Sequence, residues 1–168
     1  MVSFSIGSLL HKPVGTKHSV PLDEIFQCPD PDDPRLICNV TGTVNFLKLP
    51  HEINVQIKNL HTAVECVCRL CLTRFEYTID VPFAEREFII DLPPEAIEKG
   101  EDVQYVSKNN AILLDEMIRE EILLHFEEFP VCSGGCKGLC HTCGANRNEK
   151  KCSCSTAALK PHSPFRFL

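Results

Sequence analysis

Of the 168 residues in this chain eleven are cysteine, and six of those eleven fall within the last 37. Cys140-His-Thr-Cys143-Gly144 has the form of a knuckle, in which a tight turn brings two thiolates to one ion and the glycine after them lets backbone amides approach sulfur. After eight intervening residues comes Cys152-Ser-Cys154. These four sulfurs can surround Zn2+ tetrahedrally within a loop of 15 residues, and neither pair needs a core to bring it close. Cys132 and Cys136, separated by Ser-Gly-Gly, form a looser pair, and Cys68 and Cys71 form a third. Together these two pairs allow a second four-thiolate set that would staple the tail back onto the body. One zinc ion is therefore expected, and two are allowed. Cys66 shares the strand parity of Cys68 and is an alternative to it, as His141 is an alternative ligand in the tail.

The remaining thiols read differently. Cys28 is expected as an exposed loop thiol and Cys38 as a small buried hydrophobe, since nothing near either offers a ligand pair. An odd count and no secretory leader argue for metal or thiolate chemistry over a disulfide framework. Redox catalysis by either CxxC would need a thiolate at a helix N-terminus, whereas both are placed in turns among competing cysteines. His125 has no second histidine for an HExxH arrangement, and the acidic run from Glu116 to Glu128 reads as a solvated helix face. With no Gly-rich phosphate loop, serine elbow or paired catalytic carboxylates, the expectation is a protein that is not an enzyme.

Charge divides the chain in the same place as the cysteines. Residues 1–60 carry a formal -1, residues 61–131 carry -10 and residues 132–168 carry +5. A basic, apolar-poor tail cannot bury enough surface to offset its chain entropy, so a metal is the simplest means of folding it. The expected organisation is a body, residues 1–131, and a zinc-binding tail, residues 132–168. Neither a transmembrane run nor a basic n-region with an apolar core is seen, so a cytoplasmic protein with no membrane contact is expected.

The body supplies the elements that must position these groups. A polar opening leads into the Pro- and Asp-rich crossing at 27–35, where the body is expected to begin. Residues 36–48 alternate at period two, with Gly42 suited to a bulge or a close backbone approach, and residues 52–58 and 62–68 read as two further strands. Phe75, Tyr77, Ile79, Val81 and Phe83 mark a fourth strand, so Cys68 and Cys71 fall at a hairpin tip. Residues 93–110 read as a loop with at most one helical turn. Leu114, Met117, Ile118, Ile122 and Phe126 then share one side of a helix predicted over 111–126, capped by Asn109 or Asn110 and stopped by Pro130. The fold class is α+β: an antiparallel sheet or partly open β-barrel with one amphipathic helix and a C-terminal zinc-binding tail.

In this order the motifs resemble the YceD-like family, the large ribosomal RNA subunit accumulation proteins. The resemblance is carried by Leu9-Leu10-His11-Lys12-Pro13-Val14-Gly15, by Val40-Thr41-Gly42-Thr43-Val44 and by Cys68-Arg69-Leu70-Cys71 with Leu72 and Phe75. Arg119-Glu120-Glu121-Ile122-Leu123-Leu124 resembles the family's helix. Cys136-Lys137-Gly138-Leu139-Cys140, followed by Cys143-Gly144, Asn146 and Asn148, is similar to its tail and is the most specific stretch. Departures are Leu70 where the family has Arg, Leu113 where its helix opens with Asp, and Ser163-Pro164 at its closing Asp-Pro. Some members lack the tail cysteines, which implies that zinc supports a tail rather than shared chemistry. The resemblance implies a bacterial factor, less readily an organellar one, needed for large-subunit ribosomal RNA to accumulate or mature.

The implied partners are that RNA or its precursor, or a basic ribosomal protein drawn to the acidic segment. Lys137, Arg147, Lys150, Lys151 and Arg166 are the candidate RNA-binding residues. One ion held by four thiolates carries a formal -2 and leaves the tail near +3, which limits the RNA footprint. The competing reading is a zinc-stabilised protein–protein adapter with no RNA contact.

Overall fold

A computed structural model of the chain describes residues 1–27, 37–90, 106 and 109–154. Four long strands, β2 (Lys17–Gln27), β3 (Ile37–Lys48), β4 (Glu52–Val67) and β5 (Arg74–Ile89), form an antiparallel sheet in the order β2-β3-β4-β5. Two short strands, β1 (Ser3–Ser5) and β6 (Ala111–Leu113), pair antiparallel beside it. A one-turn helix α1 (Gly7–Leu10) follows β1, and α2 (Asp115–His125) follows β6. Among the described residues the sheet is open: β2 and β5 are its two edges, and the barrel alternative is not what forms. Both edges carry a proline, Pro21 and Pro82, whose missing N–H is tolerable on an edge strand and not on a central one.

The opening residues are not a prelude to the body but part of it. Val20, Leu22 and Phe26 alternate along β2, a pattern that Pro21 and the flanking acids conceal, and Leu22 and Phe26 are buried. Val2, Ile6 and Leu9 join Ile112, Leu114, Met117, Ile118 and Ile122 in the same core as the inner face of the sheet. At the start of α2 the expected asparagine cap gives way to tertiary pairing. Residues 111–113 are strand, Leu114 is the N-cap without a side-chain bond, and the Asp115 carboxylate instead accepts the Val2 N–H at 3.1 Å. Asn110 takes φ 54°, and its carbonyl accepts the Ile6 N–H at 2.8 Å. The helix also ends earlier than Pro130 would require, at His125, with Phe126 already extended. Phe126 meets the Tyr77 ring edge-on at 5.3 Å, and Arg86 pairs with Glu120 at 2.5 Å, so α2 is fixed against β5.

The expected pair of strands at 52–58 and 62–68 is one strand of 16 residues that keeps a single register with β5 while its phase changes midway. Ile53, Val55 and Ile57 face the core before Asn59, whereas Leu60, Val64 and Cys66 face it afterwards. Asn59 makes the switch by adopting φ 52°, and the β3–β4 register slips between Thr41 and Thr43 at that point. On β5 the phase changes with it: Ile79 and Val81 are buried, but Phe83, expected inside, is 49% exposed, and Ala84 and Phe88 are buried in its stead. The backbone of β4 approaches β3 so closely there that a Cβ on Gly42 would lie 3.0 Å from the Lys58 carbonyl oxygen and 3.1 Å from that of Asn59. The expected loop at 93–110 lies largely outside the described residues.

Gly42→Val is therefore expected to cost about 1–3 kcal/mol by forcing these two strands apart. Gly134→Ala, where nothing lies within 4 Å of a new Cβ, should stay within about 0.5 kcal/mol of the parent in the same urea denaturation.

Candidate metal centres

The β4–β5 hairpin closes through a turn in which the Cys68 N–H donates to the Thr73 carbonyl at 2.9 Å and the Leu72 N–H donates to the Cys68 carbonyl at 2.9 Å. In the tail the same bonds recur: Cys140 N–H to the Ala145 carbonyl and Gly144 N–H to the Cys140 carbonyl, both 2.8 Å. The residue after the second cysteine is left-handed in each turn, Leu72 at φ 58° and Gly144 at φ 70°. These are two copies of one knuckle. Only the second was legible as such, because leucine stands at the hairpin position where the backbone favours glycine.

Each knuckle is completed by a pair from elsewhere in the chain. Cys68, Cys71, Cys132 and Cys136 place their sulfurs within 4.8 Å of one another, and so do Cys140, Cys143, Cys152 and Cys154. Four sulfurs ~2.3 Å from a central ion stand ~3.8 Å apart along each tetrahedral edge. Cys68 Sγ lies 3.8 Å from Cys136 Sγ, and Cys71 Sγ lies 3.7 Å from Cys132 Sγ, distances that fit such an edge and exceed any disulfide. Both clusters can therefore hold a metal ion. Cys66 is buried outside the first set, His141 is exposed and outside the second, and Cys38 is a core residue whose thiol burial pushes up. Cys28 lies outside the described residues.

The tail reaches the hairpin by backbone bonds as well as by sulfur. The Arg69 N–H donates to the Pro130 carbonyl at 3.1 Å, and the Leu139 N–H donates to the Leu70 carbonyl at 3.0 Å. Gly138, at φ 65°, permits the second approach, since a Cβ there would sit 3.1 Å from the Leu70 oxygen. The Arg69 guanidinium lies 5.0 Å over the Phe129 ring, adding a cation–π contact at the same junction.

Proton affinities within each set are driven apart. Burial pushes the Cys68 thiol up, but N–H groups of Cys132, Cys71 and Leu70 directed at its sulfur outweigh it and bring it down to about 6. The N–H groups of Cys143 and Thr142 likewise hold Cys140 down to about 6. Conversely, Cys136 beside it and then burial push Cys132 up to about 12, and Cys143 does the same to Cys154. Thiolates at such short mutual distances repel one another, and a divalent cation removes that conflict.

The predicted RNA-binding residues Lys137, Arg147, Lys150 and Lys151 converge on one cleft of about 390 Å³ beside Cys140, Cys152 and Cys154. Arg166 lies outside the described residues. Composition did not single out the sulfur partners. Thr73 Oγ1 is 3.4 Å from Cys71 Sγ, and the Asn148 amide donates to Cys136 Sγ at 3.3 Å. The CGxNxN stretch signalled Asn148 alone, and nothing in the sequence marked Thr73.

The family model for the large ribosomal RNA subunit accumulation protein YceD matches residues 58–167. The chain belongs to this family. The match begins within β4 and takes in the hairpin knuckle, α2 and all eight clustered cysteines, while the similar stretches at 9–15 and 40–44 precede it. No curated protein and no solved structure matches the chain. Among the described residues no helix is long and apolar enough to cross a membrane.

Because Cys132 and Cys154 hold their protons well above neutrality, metal entry must displace them, and the sign follows: affinity rises with pH. Chelator competition is expected to show metal binding stronger at pH 8 than at pH 6, by about tenfold per pH unit for each proton displaced. Equal affinity at both would show that the sulfurs are not the ligands.

Proposed function

We propose that the protein is a non-enzymatic factor in the accumulation or maturation of large-subunit ribosomal RNA, with Zn2+ at both cysteine centres and a small RNA contact in the tail. Zinc is favoured because four thiolates at tetrahedral spacing suit a soft-tolerant ion with no other geometric demand. The single observation that carries the RNA reading is the cleft on which Lys137, Arg147, Lys150 and Lys151 converge, in a chain whose family is named for that RNA. The footprint is small for an electrostatic reason. Two four-thiolate centres carry a formal -4, one of them shared with Cys68 and Cys71 of the hairpin, which offsets much of the tail's +5, so attraction comes from local placement of the four cations more than from net charge.

With two to four phosphates engaged, log K against log salt should fall with a slope of about -1.5 to -3 for single-stranded RNA. Lys150→Glu with Lys151→Glu should weaken binding of unrelated RNAs alike, by about tenfold or more, since phosphate contacts carry no sequence information. Filter binding with large-subunit RNA and with an unrelated RNA checks both.

A second reading, a protein adapter with no RNA contact, is favoured by a groove of about 500 Å³ between the β4–β5 hairpin end and α2, walled by Val64, Val67, Leu123, Phe126 and Phe129. Association with large-subunit precursors that survives RNase and the double charge reversal would select it.

A further inference from the structure

The loop that closes the second centre, between Cys143 and Cys152, sends its side chains into the first. Asn148 donates from its amide nitrogen to Cys136 Sγ at 3.3 Å, and its amide oxygen accepts the Lys137 N–H at 2.9 Å. Asn146 donates to Thr73 Oγ1 at 3.1 Å, and that oxygen lies 3.4 Å from Cys71 Sγ. The two asparagines are locked to each other, since the Asn148 N–H and its amide both reach Asn146 Oδ1 at 3.0 Å. One short loop thus contacts one sulfur from each pair of the first centre, Cys136 directly and Cys71 through Thr73. It also determines how far Cys140 and Cys143 stand from Cys152 and Cys154.

We propose that Asn148 and Asn146 couple the two cysteine centres, so that metal at either one raises the affinity of the other. An ion at Cys68, Cys71, Cys132 and Cys136 fixes Cys136 and the hairpin turn, and the asparagine bonds then hold the 144–151 loop in its closed form. The second ion meets a preorganised site and no longer bears the full entropy of closing that loop. Linkage requires the reverse effect to be equal. Asn148 is a positioning residue in this scheme: it orients a ligand sulfur and touches no ion. The inference rests on the metal reading of both centres but not on RNA binding.

The test is a double-mutant cycle on the full chain, with Zn2+ affinity read by chelator competition and Co2+ absorption used to count sulfur ligands. Cys68→Ser, which disables the first centre, is expected to lower affinity at Cys140, Cys143, Cys152 and Cys154 by about ten- to hundredfold, and to add no further loss once Asn148→Ala is present. Cys154→Ser should weaken the first centre by the same factor. Second-centre affinity within twofold of the parent in Cys68→Ser overturns the coupling while leaving both metal sites standing. If neither set binds metal in the parent, the metal reading falls with it. Should Cys68→Ser fail to fold, Asn148→Ala alone decides: loss at both centres supports the coupling, and loss confined to the second overturns it.

Discussion

The meeting of Cys68 and Cys71 with Cys132 and Cys136 is the constraint on which the cysteine-rich end depends. These pairs lie more than 60 positions apart in the chain, and their sulfurs stand at the edge length of a metal tetrahedron. The Arg69–Pro130 and Leu139–Leu70 backbone bonds bring the same two segments together without any ion, which lowers the loop-closure entropy that the ligands must overcome. Around that junction the thiols have conflicting proton affinities, Cys68 brought down to about 6 and Cys132 pushed up to about 12. Such a set is poised for a cation rather than for permanent burial as four neutral thiols.

The sheet is arranged so that this junction sits at the end of its longest hairpin. The phase switch at Asn59, with Gly42 on one side and Pro82 opposite on the other, lets β4 keep apolar residues inward along 16 positions despite its changed periodicity. Without the switch, Leu60 and Val64 would face solvent, and the hairpin would present its cysteines from the opposite face. The α2 helix is fixed by Tyr77–Phe126 and Arg86–Glu120 to β5, so the chain leaving it at Phe126 is already directed toward the hairpin.

The proposed RNA contact inherits its geometry from metal chemistry. Lys150 and Lys151 directly precede Cys152, and Arg147 lies within the loop that the second centre closes. The cations share one cleft where the gathered sulfurs on either side of them and the Arg147 N–H to Gly138 carbonyl bond at 3.0 Å draw the loop together. Here the thiolates both assemble the basic surface and reduce its charge, which favours a small, local phosphate contact over broad attraction.

Much of this was legible in the primary structure. Spacing alone grouped Cys140 and Cys143 with Cys152 and Cys154, because ligands within 15 residues need no core to meet, and period-two alternation marked β3 and most of β5. The order of motifs pointed to the family that the match over residues 58–167 establishes. Tertiary structure decided the rest, where pairing outweighs local preference. It made β2 a strand despite Pro21, turned two strands into one through a left-handed Asn59, and drew residues 111–113 from the predicted helix into pairing with β1. It also selected Cys68 over Cys66, since only the turn geometry of residues 68–73, closed by bonds to Thr73 and by a left-handed Leu72, brings a sulfur to the tail's pair. Sequence spacing reports what neighbours in the chain can do together; which distant neighbours meet is set by strand register and the folding of the tail across the hairpin.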